Sequence, residues 1–211
     1  MYISCILLFV SIDILLHQIF TFKKQECYYL MHFFFNIFVT FQTTPLLYYS
    51  LTGNKLFFEL SYDFVGNLIT SFHVYHIIRY YRYFKLMDDV VHHITAFLLI
   101  YLAIYNQIDG VASLAALFMT GAPGAAYYGP LFLSLNGLIS KDTQKYINFC
   151  ASFIRCTGII YATTVGDVLW TLNYYQHTSL YYIIFSNIIN LWNGLYFHYK
   201  VIEDYVITKH K

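Results

Sequence analysis

Seven stretches of the chain, of roughly 20 residues each, are mostly apolar, and only short segments separate them. They run approximately over residues 2–22, 28–49, 60–78, 90–105, 111–135, 147–169 and 180–199. A helix needs about 20 mostly apolar residues to cross a hydrocarbon core roughly 30 Å thick. The pattern therefore predicts an all-α, multi-pass membrane protein with about seven transmembrane helices and no soluble domain.

The composition agrees with placement in a bilayer. Hydrophobic residues make up 59% of the 211 residues and charged residues 11%, whereas soluble domains carry about 25% charged residues. The formal net charge is +1, and no basic tract is present to neutralise phosphates. We therefore expect membrane lipid as the partner, and no nucleic acid.

Lys and Arg are distributed unequally between the two sets of loops that seven helices create. The set that includes the C-terminus contains ten of them, namely Lys23, Lys24, Arg79, Arg82, Lys85, Lys141, Lys145, Lys200, Lys209 and Lys211. The other set contains Lys55 alone. Because basic residues concentrate in cytoplasmic loops, the pattern predicts a cytoplasmic C-terminus.

Two aspartates and two adjacent histidines stand at the start of the fourth stretch. In a helix, Asp88–His92 and Asp89–His93 form i,i+4 pairs. A carboxylate at that spacing holds an imidazole in one tautomer and raises its basicity, as proton chemistry requires. We interpret His92 and His93 as candidate catalytic residues. Their side chains point about 100° apart, so we expect one to face the bundle interior and the other a neighbouring helix.

His73 and His76 lie at i,i+3 near the end of the third stretch, at a depth similar to that of His92. Histidines at this spacing can share a metal ion. They can also belong to an interfacial belt in which His, Tyr and Arg contact lipid headgroups. We favour the belt, because "FHVYHIIRYYRYF" mixes these residue types, and we assign no metal. Convergence of these histidines with His92 in one cavity remains the alternative.

Two further features lie inside the predicted helices. Arg155 falls within the sixth stretch, where it needs either a partner in the bundle or access to headgroups. Pro123 and Pro130, in "TGAPGAAYYGP", interrupt the fifth stretch because proline lacks a backbone donor. This segment indicates either an enclosed cavity or, more commonly, a kink with close packing. Our candidates for contact with lipid are Asp88, Asp89, His73, His76, Pro123 and Arg155.

From about residue 55 to residue 200, the order of these pieces resembles the TLC domain, a membrane-embedded region shared by ceramide synthases and other lipid-handling proteins. The most specific element is "HHITAFLLIYLAIYN", which is similar to the paired histidines and apolar run of ceramide synthases. "GAPGAAYYGPLFLSLNGLISKDTQKYINFCASFIR" resembles the family's Gly/Pro helix, basic loop and Arg-bearing helix. "NIINLWNGLYFHYKVI" is similar to its last helix.

The resemblance implies a barrel of six helices around a lipid-sized cavity, usually in the endoplasmic reticulum or another internal membrane. One further helix at the N-terminus makes seven. We therefore expect N-terminal helices over residues 1–54, of which the second joins the barrel. A TLC-like core then covers residues 55–200, and a short cytoplasmic tail covers residues 201–211.

For function, the resemblance implies that His92 or His93 serves acyl transfer from acyl-coenzyme A to a sphingoid amine. The carboxylates that follow the histidines in ceramide synthases are missing here, since "VASLAALFMTG" contains no ionisable residue. We therefore favour a protein without a cofactor that binds, senses or moves lipid and affects membrane lipid composition. The alternative is a ceramide synthase-like acyltransferase with fatty acyl-coenzyme A as co-substrate. A second alternative is a carrier of a small solute or ion.

Overall fold

The computed structural model describes residues 2–19, 22–59, 61–81, 90–175 and 177–209, and this part of the chain contains helices and no β-strand. In chain order the helices are α1 (Tyr2–Ile19), α2 (Lys24–Thr52), α3 (Leu56–Glu59), α4 (Asp63–Tyr80), α5 (Val91–Tyr105), α6 (Asp109–Ala116), α7 (Ala122–Leu135), α8 (Lys141–Thr171) and α9 (Leu180–Lys209). The all-α class predicted from the apolar stretches is confirmed for the described residues.

Each predicted stretch coincides with a helical segment, but only four described segments are long and apolar enough to cross a membrane. These are Tyr2–Ile19, Lys24–Thr52, Asp109–Leu135 and Lys141–Thr171. The 15 residues of α5 extend about 22 Å, which is less than a hydrocarbon core of about 30 Å. The remaining two helices are α4 and α9. Polar side chains lower their mean hydropathy, for example His73 in α4 and Asn190 in α9. Seven spans and a TLC-type barrel therefore stay a prediction.

The glycines of the fifth stretch bring its backbone close to α2. A Cβ atom on Gly124 would collide with the side chain of Asn36, and one on Gly129 would collide with the ring of Phe33. Small residues that permit close backbone approach are the usual basis of helix packing in membranes. The Gly/Pro segment is thus a closely packed helix against α2.

Pro123 does not break the helix, and residues 109–135 are helical throughout. A single π-helical turn, Leu117–Gly121, joins α6 to α7, and the N–H of Ala122 donates to the carbonyl of Leu117, five residues back. The wider turn accommodates the proline, which has no N–H and whose ring crowds the preceding turn. Pro123 itself is fully buried.

α1 is attached to the bundle by few side chains, since only Phe9 and Asp13 of this helix are buried. Asp13 is 1% exposed. Its Oδ2 accepts a hydrogen bond of 2.7 Å from Arg79 Nε, and its Oδ1 accepts one of 2.6 Å from the Tyr80 hydroxyl. Phe9 packs edge-on against Phe72, with ring centroids 5.1 Å apart. Arg79, predicted to lie in a cytoplasmic loop, thus belongs to the last turn of α4 and anchors α1.

We expect Asp13→Asn to lower the free energy of unfolding by about 3 kcal/mol, because the change removes the charge that compensates Arg79. This value is at the low end for a broken buried pair because Arg79 is 31% exposed. Thermal unfolding of the purified protein in detergent measures the effect. Lys55→Gln is the control, since its ion pair with Glu59 is exposed at the surface and is worth little. Equal unfolding midpoints for both variants would contradict this assignment.

Candidate functional site

An internal cavity of about 100 Å³ lies between α4, α5, α6, α8 and α9. We call it the slot. Its wall includes Tyr62, Ile69, His73, His92, Ala96, Leu99, Ile100, Ala103, Ile108, Val111, Ala112, Ala115, Ala116, Met119, Thr120, Ala162, Thr163, Gly166, Tyr182, Ile183, Ser186, Asn187 and Asn190. Of the sequence-predicted site residues, His73 and His92 thus line the slot.

The slot is elongated along the helix axes. Tyr62, which directly precedes α4, and His73 both line it and are eleven residues apart. His92 and Ala103 of α5 are separated by the same number of residues. At 1.5 Å per residue, each pair marks a length of about 16 Å. A volume of about 100 Å³ over this length describes a narrow channel with histidines at one end.

The two long walls of the slot differ in polarity. The wall from α4 and α5 is mainly apolar and includes Ile69, Leu99 and Ile100, whereas α8 and α9 contribute Thr163 and Asn190. A ligand in the slot would therefore meet apolar groups on one side and hydrogen-bonding groups on the other.

Thr163 is notable among these polar groups. It is 8% exposed, and its hydroxyl has no hydrogen-bond partner among the described residues. By contrast, Thr157 and Thr164 of the same helix donate to carbonyls four residues back, at 2.8 Å each. Because buried hydroxyls are normally paired, the Thr163 hydroxyl marks a position where the slot offers a hydrogen bond.

Five histidines form what we call the imidazole cluster at the end of the slot: His32, His73, His76, His92 and His93. Ring centroids are 4.1 Å apart for His32–His76 and 5.6 Å apart for His76–His93. They are 5.1 Å apart for His73–His93 and 5.7 Å apart for His73–His92. Neighbouring rings thus follow one another from α2 through α4 to the slot wall on α5.

The interfacial-belt interpretation of His73 and His76 is wrong, because the two residues are only 8% and 5% exposed. They face the bundle rather than headgroups, since contacts with His32 of α2 and with α5 cover them. His32 was not singled out in the sequence. The available signal was the rule already applied elsewhere, that an ionisable side chain within an apolar stretch needs a reason to be there.

Hydrogen bonds to carbonyls determine which nitrogen carries the proton in two of these rings. His73 Nδ1 lies 2.8 Å from the carbonyl oxygen of Ile69, and His32 Nδ1 lies 2.7 Å from that of Tyr28. A carbonyl only accepts, so both Nδ1 atoms donate, and in the neutral rings Nε2 keeps a free lone pair. In His92, Nδ1 is the acceptor, because the Asn193 amide donates to it at 3.3 Å. The proton of the neutral His92 ring is therefore on Nε2.

The remaining predicted site residues lie in different places. Asp88 and Asp89 fall in 82–89, outside the described residues, so their predicted pairing with the histidines stays a prediction. The ring of His93 is 6% exposed and packs against His73 and His76. Pro123 lies in the α2–α7 contact and not in the slot wall.

Arg155 lies half-buried on α8, and its guanidinium carbon is 5.7 Å from the ring centroid of Phe197. None of the ion pairs formed by described residues includes it. Within the described ranges, no three His, Cys, Asp or Glu side chains are arranged to hold a metal ion.

Scans against protein-family models, curated proteins and solved structures found no match for this chain. The resemblance to the TLC domain therefore stays a sequence-based prediction, and the functional argument depends on the geometry of the slot and the imidazole cluster.

We expect nitrogen-15 NMR of histidine-labelled protein at neutral pH to show His73 with its proton on Nδ1 and His92 with its proton on Nε2. The reason is that a carbonyl accepts from the first ring and an amide donates to the second. Single His→Gln variants assign the signals. The same tautomer in both rings would contradict the geometry described here.

Proposed function

We propose that the chain is an integral membrane protein that binds a lipid chain in the slot and thereby senses or moves lipid and affects membrane lipid composition. The observation that supports this proposal most strongly is the slot itself, an elongated, mostly apolar channel with hydrogen-bonding groups along one wall and imidazoles at one end. Amphipathic lipids likewise combine an apolar chain with a polar headgroup.

The volume of the slot limits what enters it. Apolar cavities of about 150 Å³ take up benzene, and ordinary ligand pockets begin at about 300 Å³. A space of about 100 Å³ is therefore smaller than the lipid-sized cavity that the resemblance implies. It has room for a short segment of one alkyl chain, with the rest of the lipid outside the slot.

The outer surface supports placement in a membrane. Large apolar side chains such as Ile3, Phe41 and Ile94 are 74%, 76% and 60% exposed. In water, such apolar exposure spread over a whole surface is a liability, whereas in a bilayer it faces lipid. An internal membrane such as the endoplasmic reticulum, a cytoplasmic C-terminus and a TLC-type arrangement of the helices are parts of this proposal.

A ceramide synthase-like acyltransferase is the second candidate function, and one observation favours it. His73 and His92 are both in the slot wall, and the lone pair on His73 Nε2 would suit a general base. Against it, no carboxylate belongs to the described slot wall to stabilise an imidazolium that forms during acyl transfer. We therefore place lipid binding first.

Ala96→Phe should lower the affinity for an eighteen-carbon lipid by about tenfold, because a phenyl group in the slot displaces at least two methylene groups of the bound chain. Binding of a radiolabelled lipid to protein in nanodiscs measures this. Ile94→Phe, two residues away but on the exposed face of α5, is the matched control and should leave the affinity unchanged. Equal affinities for both variants would contradict the proposal that the slot binds a lipid chain.

Expression in cells that lack ceramide synthase separates the two candidate functions. We expect cellular lipid composition to change without restored ceramide, because the described part of the slot wall contains no carboxylate to support acyl transfer. Mass spectrometry of extracted lipids measures both quantities. Ceramide that is restored by the protein and lost in His92→Ala would establish the acyltransferase instead.

A further inference from the structure

Arg155, half-buried on α8, has no carboxylate partner among the described residues. The ion pairs of the described residues are Lys55–Glu59, Arg79–Asp13, Lys145–Asp204 and Lys200–Glu203. The contact of Arg155 with the Phe197 ring offsets only part of the free-energy cost of removing a guanidinium from water. An intramembrane cation of this kind is expected to bind something of opposite charge.

Arg155 is next to the histidine end of the slot. Phe197 connects the two, because its ring centroid is 5.7 Å from the Arg155 guanidinium carbon and 5.7 Å from the His92 ring centroid. Asn193, one turn before Phe197 on α9, donates to His92. Arg155 and His92 thus contact the same ring at the histidine end of the slot.

The face of α9 that lines the slot continues to this position. Tyr182, Ser186 and Asn190 line the slot, and Asn193 and Phe197 follow at spacings of three and four residues. Spacings of three and four keep side chains on one face of a helix. The slot wall and the surroundings of Arg155 are thus one continuous surface.

A stripe of polar residues on α8 leads from Arg155 towards the start of that helix. Gln144, Asn148 and Ser152 are 3%, 4% and 5% exposed, and they precede Arg155 at spacings of four, four and three residues. Asn148 Oδ1 has no hydrogen-bond partner among the described residues. Buried polar groups that lack partners are unusual, and this stripe ends beside the basic Lys141 and Lys145. Polar side chains thus continue from Arg155 towards the start of α8.

The groups around Arg155 favour an anion. His92 and Asn193 contact each other, and His92 contacts the same Phe197 ring as Arg155. The imidazole and the amide offer N–H donors, and no carboxylate of the described residues pairs with Arg155. A guanidinium matches the paired oxygens of a carboxylate or a phosphate.

We propose that Arg155, together with His92 and Asn193, binds the acidic headgroup of a single-chain lipid whose alkyl chain occupies the slot. This inference rests on the proposed lipid-binding function and specifies the class of lipid. The ligand is a long-chain carboxylate or a single-chain phosphate ester, and not a sphingoid base, whose ammonium group Arg155 would repel.

The test measures binding of four eighteen-carbon lipids to the full chain in nanodiscs made of zwitterionic lipid: oleic acid, lysophosphatidic acid, oleyl alcohol and sphingosine. A charge-assisted hydrogen bond accounts for about tenfold or more in affinity. We therefore expect both acidic lipids to bind at least about tenfold more tightly than the alcohol or sphingosine. Whichever acid binds more tightly identifies the headgroup as carboxylate or phosphate.

Variants then assign the selectivity to one side chain. Arg155→Gln should weaken the acidic lipids to the level of oleyl alcohol and leave binding of the alcohol itself unchanged, which also shows that the variant is folded. Arg155→Lys should retain part of the selectivity, because it keeps the charge but loses the paired donors. Lys200→Gln, a cation of α9 that pairs with Glu203, is the control and should change nothing. If Arg155→Gln does not fold, undiminished selectivity in Arg155→Lys overturns the proposal.

The other outcomes separate this inference from the function on which it rests. If oleyl alcohol binds as tightly as the acids, or if Arg155→Gln weakens all four lipids equally, the headgroup site is refuted and the slot remains. If no lipid binds more than to empty nanodiscs, both proposals are refuted. If butyrate or inorganic phosphate competes as effectively as oleic acid, Arg155 binds free anions and the lipid assignment of this site is refuted.

Discussion

The cost of an unpaired polar group in a low-dielectric interior determines how these helices are oriented. Asp13 of α1 is paired with Arg79 and Tyr80 of α4, and Asn187 of α9 donates to Asp167 of α8 at 2.6 Å. Histidines within α2 and α4 donate to carbonyls of their own helices. Each polar side chain thus selects the face that its helix turns inward, while exposed residues such as Phe41 and Ile94 face outward. The structure is stabilised by polar contacts inside and is apolar outside, as a bilayer requires.

The slot follows from this arrangement and from the size of the side chains around it. Ala103, Ala112, Ala162 and Gly166 are among the residues that line it, so neighbouring helices do not fill the space between them. Larger groups lie near its ends, with Tyr62 and Tyr182 near one end and the histidines of α4 and α5 at the other. The opening arises from small residues and is bordered by polar groups, and its narrow shape is what favours an alkyl chain as the occupant.

The sequence was sufficient for the helices and insufficient for most of the contacts between them. Apolar stretches locate all the helical segments except the four-residue α3, although the helices extend further where polar residues continue them. One example is α8, which starts at Lys141, six residues before the predicted stretch. Its cap is a hydrogen bond from Thr143 N–H to Ser140 Oγ.

Asp13 and Arg79 are 66 residues apart, and no local pattern relates them. For the same reason, local spacing placed His73 and His76 in a headgroup belt, whereas contacts with α2 and α5 bury them. The rule that intramembrane ionisable residues are functional predicts a role for His92, and the structure adds that His92 lines a cavity.

The central claim is that the slot is a binding site for a lipid chain, and an experimental density map of the protein purified with native lipid tests it most directly. Cryo-electron microscopy of the chain in nanodiscs, with an antibody fragment to add mass, is suitable. We predict continuous, elongated density between the histidine end and the tyrosine end of the slot, with His92 beside it. A slot closed by side chains, or a His92 ring turned towards the surrounding bilayer, would contradict the account.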